Sequence, residues 1–342
     1  TGWMMWNFSV ATMLMGATVV LYDGSPAYPD LNVLWQMTES IGINHFGTSA
    51  PYIVACMKQE LTPGSKFDLS PLRSIGSTGA PLPPEGFDWV YDQVKKDLWL
   101  CSMSGGTDVC TAFVGGCPTR PVFEGEIQCR ALGCALFAMD EEGDPLVNEV
   151  GEMVITKPMP SMPIYFWNDP KMERYRSSYF EDYPGKWRHG DWIKITDRDS
   201  LIIYGRSDAT LNRQGVRIGT AEIYSAVDSV EDVEDALIVN LELSEGRHYM
   251  PLFVKMKDHL ELTEEVRQMI KAVLKEKYSP RHVPDEIILV PDIPYTISGK
   301  KMEAPVKKIL LGMNTNKAAN KRAMRNPEAL DFFRKFAEKI KR

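Results

Sequence analysis

Five short clusters along the chain join residue types that could do chemistry. They are Ser77-Thr78-Gly79-Ala80-Pro81, Ser104-Gly105-Gly106-Thr107-Asp108, Trp187-Arg188-His189-Gly190-Asp191, Gly205-Arg206-Ser207-Asp208 running on to Gly215-Val216-Arg217-Ile218, and Pro294-Tyr295-Thr296-Ile297-Ser298-Gly299-Lys300. Each sets glycine, which lets backbone approach a ligand closely, beside hydroxyl, carboxylate or cationic side chains that donate or accept. Singly, each is ordinary. A glycine loop is commonly just a turn and the charge beside it solvated, and Lys301, Lys307 and Lys308 show that lysines are plentiful around Lys300.

The elements that must position these clusters are legible in outline. The β-branched run between Gly16 and Leu21 predicts a buried strand, closed by Asp23-Gly24-Ser25-Pro26. Asp30 is then a natural N-cap for a helix carrying Leu31, Leu34, Thr38 and Ile41 on one face. Phe46-Gly47-Thr48 reads as a further strand, followed by a helix from Tyr52 to Gln59. This alternation predicts α/β layering on a parallel sheet. From about Gly115 to Tyr204 short strands divided by glycine and proline predict barrel or sandwich material. After Arg206 strands and helices mix, with Glu264 to Lys275 amphipathic and the last thirty residues basic and helical in character. The main boundary is placed at Gly205 to Asp208, dividing the chain into 1–206, 207–310 and a helical extension, 311–342.

Composition excludes several classes. With 44% hydrophobic and 25% charged residues, the 342-residue chain can bury more than one core. A net charge of −7 gives no general attraction for nucleic acid or anionic lipid, so bound phosphates would need local groups. The longest nearly apolar stretch, Val10 to Tyr22, falls short of the ~20 residues of a spanning helix. The six cysteines show neither a C-x-x-C pair nor zinc-finger spacing, and read as reduced thiols in a cytosolic protein. The start at Thr1 carries no readable targeting signal and is expected for a piece of a longer protein.

In order and spacing the five clusters resemble the adenylate-forming superfamily, which contains acyl-CoA synthetases, luciferases and the adenylation domains of peptide synthetases. The resemblance implies an α/β fold: a large AMP-binding domain, here incomplete, with a parallel-sheet layer and a β-rich barrel-like subdomain, then a small mobile α+β domain. It implies ATP, CoA and Mg²⁺ as cofactors and cosubstrates. Gly79, Ala80 and Pro81 would let backbone approach the purine. Thr107 would donate to a phosphate oxygen and Asp108, where the family usually has Glu, would hold Mg²⁺, a hard cation that prefers oxygen. Asp191 would accept from the two ribose hydroxyls, and Arg206 and Arg217 would meet ribose and phosphate. Asp208 would be the hinge between domains, and Gly215 would line the pantetheine path after the small domain turns. Lys300 would be the adenylation lysine, offsetting charge as a carboxylate attacks the α-phosphate.

Within the superfamily, Ser102 to Asp108, Thr156-Lys157-Pro158, Phe166-Trp167-Asn168-Asp169, Gly205-Arg206-Ser207-Asp208, Ser279 to Pro284 and a tail beyond Leu311 resemble the ligases of short acids, and the resemblance implies acetoacetate as the acid. In acetyl-CoA synthetases a tryptophan before the Thr-Glu pair closes the acyl pocket. Gly105 and Gly106 stand here beside Ser104, leaving room for a longer acid. Acetate, propionate and butyrate remain alternatives. The Ser/Thr/Gly-rich loop and lysine that hold the β- and γ-phosphates in the family are not among these 342 residues. The resemblance therefore spans about the second half of the family's length, and a shortened nucleotide-binding or interaction module without catalysis is a further alternative. Oligomeric state is not fixed by the sequence, and the isolated chain is expected to expose apolar surface and sheet edges.

Overall fold

The computed structural model describes residues 4–207, 211–213, 216–243, 248–297 and 299–340, with backbone alone at 212, 213, 216, 217 and 242. The chain forms two compact units, one of Thr1–His189 with Ile193–Ile203 and the other of Gly190–Trp192 with Tyr204–Arg342.

In the first unit, a parallel three-stranded sheet orders His45–Ser49, Ser74–Thr78 and Trp99–Ser102 side by side. Helices Val33–Ile41 and Ala50–Lys58 flank it in sequence. Trp35 is fully buried at the centre of an aromatic nest, 5.0 Å from the Phe46 ring and 6.3 Å from Trp89. Burying a large apolar side chain of this kind contributes about 1.5–3 kcal/mol. Around helix Val33–Ile41 the expected face holds at Leu31 and Thr38, which are buried, and at Leu34, which packs on the same cluster; Ile41 is exposed, and the fully buried Trp35 was not expected there. Asp30 does not cap that helix directly. It accepts from the backbone and side-chain amides of Asn32, the residue at the cap.

The strand expected at Gly16–Leu21 is absent. Residues 17–23 have no regular structure, and Leu21 is largely exposed. A β-branched run becomes a strand only when another strand supplies its ladder, and none of the described strands pairs with this one.

The β-rich region divides into an antiparallel sheet of Ser104–Gly106, Thr111–Gly115 and Cys129–Arg130 and a five-stranded sheet. The latter orders Leu201–Arg206, Trp187–Ile195, Val150–Ile155, Leu136–Met139 and Pro145–Leu146. Phe113, Leu136, Met153, Ile155 and Trp187 pack together in one buried cluster. Cys134 belongs to the same cluster, and burial pushes its thiol up to about 11, as suits a filler rather than a nucleophile.

In the second unit, Pro251–Met256 is the central strand, antiparallel to Val233–Ile238 and parallel to Glu286–Leu289. Alternation along these strands divides the core in two. Ala236, Ile238, Leu252, Val254 and Ile287 face helices Thr220–Val227 and Glu264–Lys277. Leu237, Phe253 and Ile288 face helices Glu303–Leu310 and Leu330–Ile340. The tail beyond residue 310 is thus one of the layers over this sheet, with Phe333 edge-on to Phe253 at 4.9 Å.

Candidate active site

The parallel sheet sets the first cluster. Ser49 pairs with Thr78 and Ser77 with Ser102, so the carboxyl ends of all three strands align. Loops leaving such an edge are where α/β sheets bind ligands. Gly79, at φ +90°, turns the chain out of its strand into exposed Ala80 and Pro81. Only glycine adopts that conformation readily. Two residues earlier, the fully buried Ser77 hydroxyl has no hydrogen-bond partner among the described residues.

Thr107 and Asp108 occupy the turn between Ser104–Gly106 and Thr111–Gly115, held down by the buried Val109. The Tyr179 hydroxyl donates to Asp108 Oδ2 at 2.6 Å, and the Tyr179 ring stacks on Trp187 at 3.6 Å. Tyr179 is a partner of this candidate residue that sequence reasoning missed. It lies 71 residues away in an aromatic-rich stretch, and nothing in its neighbours distinguishes it from core. His189 also borders this turn: a Cβ built on Gly106 would lie 3.1 Å from its Cε1 and 2.4 Å from Asp108 Oδ1.

Gly105 has a steric reason of its own. A Cβ there would meet the Thr111 carbonyl oxygen at 2.1 Å and Ala112 Cα at 2.6 Å, where the strand register shifts. Close approach of the neighbouring backbone therefore calls for glycine at 105 independently of any acyl pocket.

The donor set suits Mg²⁺. One exposed carboxylate beside a hydroxyl supplies hard oxygens, and Mg²⁺ is commonly held by one or two carboxylates together with substrate phosphates. Among the described residues no three acidic, histidine or cysteine side chains converge to hold an ion by themselves.

In the second unit, the structure brings Asp191 and Arg206 together. Asp191 lies on Trp187–Ile195, 8% exposed, and Arg206 Nη1 donates to its Oδ1 at 3.3 Å. Gly190, at φ +86°, makes this possible: a Cβ there would stand 2.8 Å from Arg206 Nη2. The Ser207 amide donates to the Gly190 carbonyl at 2.8 Å, tying the two strands at this level. With its side chain 52% exposed, Arg206 gains little stability from the pair; the geometry serves orientation. The result is a carboxylate acceptor beside a fork of donors, apt for a diol next to a phosphate.

Asp208 and Gly215 lie outside the described residues. Arg217 is placed by its backbone alone, opposite Asn212 on the antiparallel pair Leu211–Arg213 and Val216–Ile218.

Lys300 stands exposed on a tight turn. The Thr296 amide donates to the Lys300 carbonyl at 2.9 Å, the Lys300 amide to Thr296 Oγ1 at 3.0 Å, and Gly299 turns at φ +77°. Lys301 differs sharply from its neighbour. Its ammonium donates to the Ala236 carbonyl at 2.6 Å, pairs with Asp235 Oδ1 at 2.7 Å and lies 3.9 Å from the Tyr224 ring centroid. Of the two adjacent lysines, the one singled out by its place in the motif is the one extended to solvent.

Comparisons with known proteins bear on the family and the fold. Residues 2–166 match the family described as AMP-binding enzyme. The acetoacetyl-coenzyme A synthetase of Rhizobium meliloti (strain 1021) is 47% identical over 97% of this chain and 50% of its own length. That of Xenopus tropicalis is 42% identical over 98% of this chain and 50% of its own. Among solved structures, the acetoacetyl-CoA synthetase from Streptomyces lividans superposes with a TM-score of 0.91 at 49% identity, over 99% of this chain and 52% of that one. An anthranilate CoA ligase in complex with anthranoyl-AMP shares the fold at a TM-score of 0.69 and 20% identity, over 84% of this chain and 53% of that one. The chain spans about half the length of the curated relatives it matches, and it belongs to the AMP-binding enzyme family, as a homologue of the acetoacetyl-CoA synthetases.

Proposed function

We propose that the whole protein carrying this chain joins acetoacetate to CoA at the expense of ATP, through an acetoacetyl-adenylate. The acetoacetate carboxylate attacks the α-phosphorus, the bond to the bridging oxygen breaks, and pyrophosphate leaves with the electron pair. The CoA thiol then loses its proton and attacks the acyl carbon, releasing AMP. The reading rests on its relatives' names and on one observation above all, the exposed Lys300 on a turn braced at its base.

The residues divide the work. Gly79, Ala80 and Pro81 would floor the adenine, Asp191 would accept from the ribose hydroxyls, and Arg206 with Arg217 would donate to ribose and phosphate. Thr107 would donate to a phosphate oxygen. Mg²⁺, bound with ATP, would be held by Asp108 and supply charge compensation at the leaving pyrophosphate. Ser104, Gly105 and Gly106 would face the acyl group. Residues 1–206 would complete the large domain and 207–310 form the small mobile one, with Asp208 the hinge, Gly215 on the pantetheine path and 311–342 an extension. Cytosolic location follows by analogy with such ligases. No described helix is long and apolar enough to cross a membrane.

The test is acetoacetate-dependent pyrophosphate release by the whole protein. Lys300→Ala should lower it by about 10²–10³-fold, the usual cost of one preorganised charge-stabilising group. Undiminished adenylation in that variant would remove Lys300 from the mechanism, and faster turnover of propionate or butyrate than of acetoacetate would replace the acid.

A further inference from the structure

The turn that carries Lys300 is fixed from two sides, by Asp235 with Lys301 and by tail residues Ala323 to Asn326, all of them outside the five motif clusters. On the inner side, Tyr295 and Lys301 form an antiparallel bridge that closes the turn. Both side chains then converge on Asp235: the Tyr295 hydroxyl donates to its Oδ2 at 2.6 Å, while the Lys301 ammonium pairs with its Oδ1 at 2.7 Å. The Lys301 and Asp235 side chains are each only 19% exposed. Tyr224, whose ring lies under the ammonium, is itself held by its hydroxyl donating to Glu303 Oε1 at 2.9 Å.

On the outer side, the tail runs beside the segment that leads into the turn, with Thr296 and Met324 forming an isolated antiparallel bridge. The Ile297 amide donates to the Ala323 carbonyl at 2.9 Å, and the Arg325 amide to the Tyr295 carbonyl at 3.0 Å. Buried Asn326 accepts from the Tyr295 amide at 2.9 Å and donates to the Ile293 carbonyl at 2.8 Å. Tyr295, Ile297 and Lys301 are therefore tied down, while Lys300 itself is exposed.

We propose that Lys301 is the positioning residue of the Lys300 turn: locked onto Asp235 and the Ala236 carbonyl, it fixes the turn's base and so the direction in which Lys300 leaves it. The inference rests on the reading of Lys300 as the adenylation lysine. Positioning has kinetic force because a displacement of about 1 Å at a charge-stabilising group can cost about 10²-fold in rate. A purely structural ion pair would weaken the fold and slow both half-reactions alike. An anchor for Lys300 slows only the half-reaction that uses it.

Lys301→Met alone strands a carboxylate in a mostly buried place and risks unfolding. The variant to use is the double substitution Lys301→Met with Asp235→Asn, which removes both charges and keeps an acceptor for Tyr295. In the whole protein, acetoacetate-dependent pyrophosphate release reports adenylation, and CoA-dependent consumption of preformed acetoacetyl-adenylate reports thioester formation. The expected result is a fall of about 10- to 100-fold in adenylation kcat, with thioester formation and the KM for ATP within about twofold of wild type. Lys301→Arg, which keeps the charge, should recover most of the loss. Brief acetic anhydride labelling read by mass spectrometry gives a signal independent of turnover: Lys300 is modified and Lys301 protected in the wild type.

A folded double variant with unchanged adenylation, or with both half-reactions reduced together, overturns the proposal. Equal labelling of the two lysines in the wild type does so as well. If the double variant does not melt cooperatively, Asp235→Glu, which keeps the pair and shifts the ammonium, is read in its place with the same two outcomes. Lys300→Ala separates the levels: an inactive Lys300→Ala beside an unaffected double variant defeats only the positioning role. Adenylation that survives Lys300→Ala defeats both.

Discussion

At the scale of single residues, the candidate site residues are held by side chains that lie outside the sequence clusters or look ordinary within the sequence. Asp108 is exposed at a hairpin turn, and a lone carboxylate there would sample several rotamers. The Tyr179 hydroxyl restricts it, and the Trp187 stack restricts Tyr179. Tyr179→Phe keeps the stack and deletes only the donor, which at about 0.5–1.5 kcal/mol should raise the Mg²⁺ concentration for half-maximal adenylation by about 2- to 10-fold. Its melting temperature should stay near that of the wild type. Tyr179→Ala, which also removes the stack, should lower both. A Tyr179→Phe protein with wild-type Mg²⁺ dependence would show the contact to be incidental. This pair also marks a limit of the sequence. Glycines, the turn hydroxyl and the charged residues were legible through the order and spacing of their clusters, but a tyrosine 71 residues from its acceptor lies in none of them. Lys301 is the converse. In sequence it looks like one more solvated lysine; in the fold it is the one held by a carboxylate, a carbonyl and a ring.

At the scale of elements, strand and helix patterns were readable where local chemistry decides them and obscure where partners do. Phe46-Gly47-Thr48, the helix after it and the amphipathic Glu264–Lys277 follow from spacing and caps, with Thr263 accepting from the Val266 amide. The run at Gly16–Leu21 has equal β-propensity and no ladder, so it forms no strand. The tail shows how one side chain can join elements: Asn326 donates to Asp292 Oδ2, and Asp292 Oδ1 in turn faces Lys255 at 3.2 Å. Burial raises the Asp292 pKa, but the Asn326 amide and the Lys255 ammonium outweigh it, and the net shift is downward. A carboxyl depressed in the folded state contributes stability above its unfolded value, near 3.9, and loses it as pH falls through the folded one. Because the side chain is 38% exposed, screening keeps this contribution below about 1 kcal/mol. Asp292→Asn keeps an acceptor for Asn326 and removes the charge facing Lys255. It should melt below wild type at pH 7, and the gap should close below about pH 4. A gap that persists unchanged to pH 3 would assign the difference to packing instead.

At the scale of the whole molecule, apolar surface is the dominant fact. Helix Met4–Leu14 has no buried residue, and Trp6 is 56% and Leu14 87% exposed. Its apolar residues do not gather on one face, and a helix of that kind is normally enclosed by other structure. The parallel sheet of three strands raises the same expectation, since parallel sheets are ordinarily covered on both faces. A chain half the length of its relatives that exposes this much apolar surface should associate through it. Produced alone, the 342-residue chain is therefore expected to bind a dye such as anilinonaphthalene sulfonate and to show light scattering that rises with protein concentration. Trp6→Lys combined with Leu14→Lys should reduce both signals while leaving the melting of the second unit, whose two buried clusters lie within residues 211–340, unchanged. Two outcomes would refute the argument: a monodisperse chain that leaves the dye dark, or a doubly charged variant that associates as strongly as the original. The first would mean that residues 4–22 fold back and cover their own apolar groups, and the second that association runs through the sheet edges at His45–Ser49 and Trp99–Ser102.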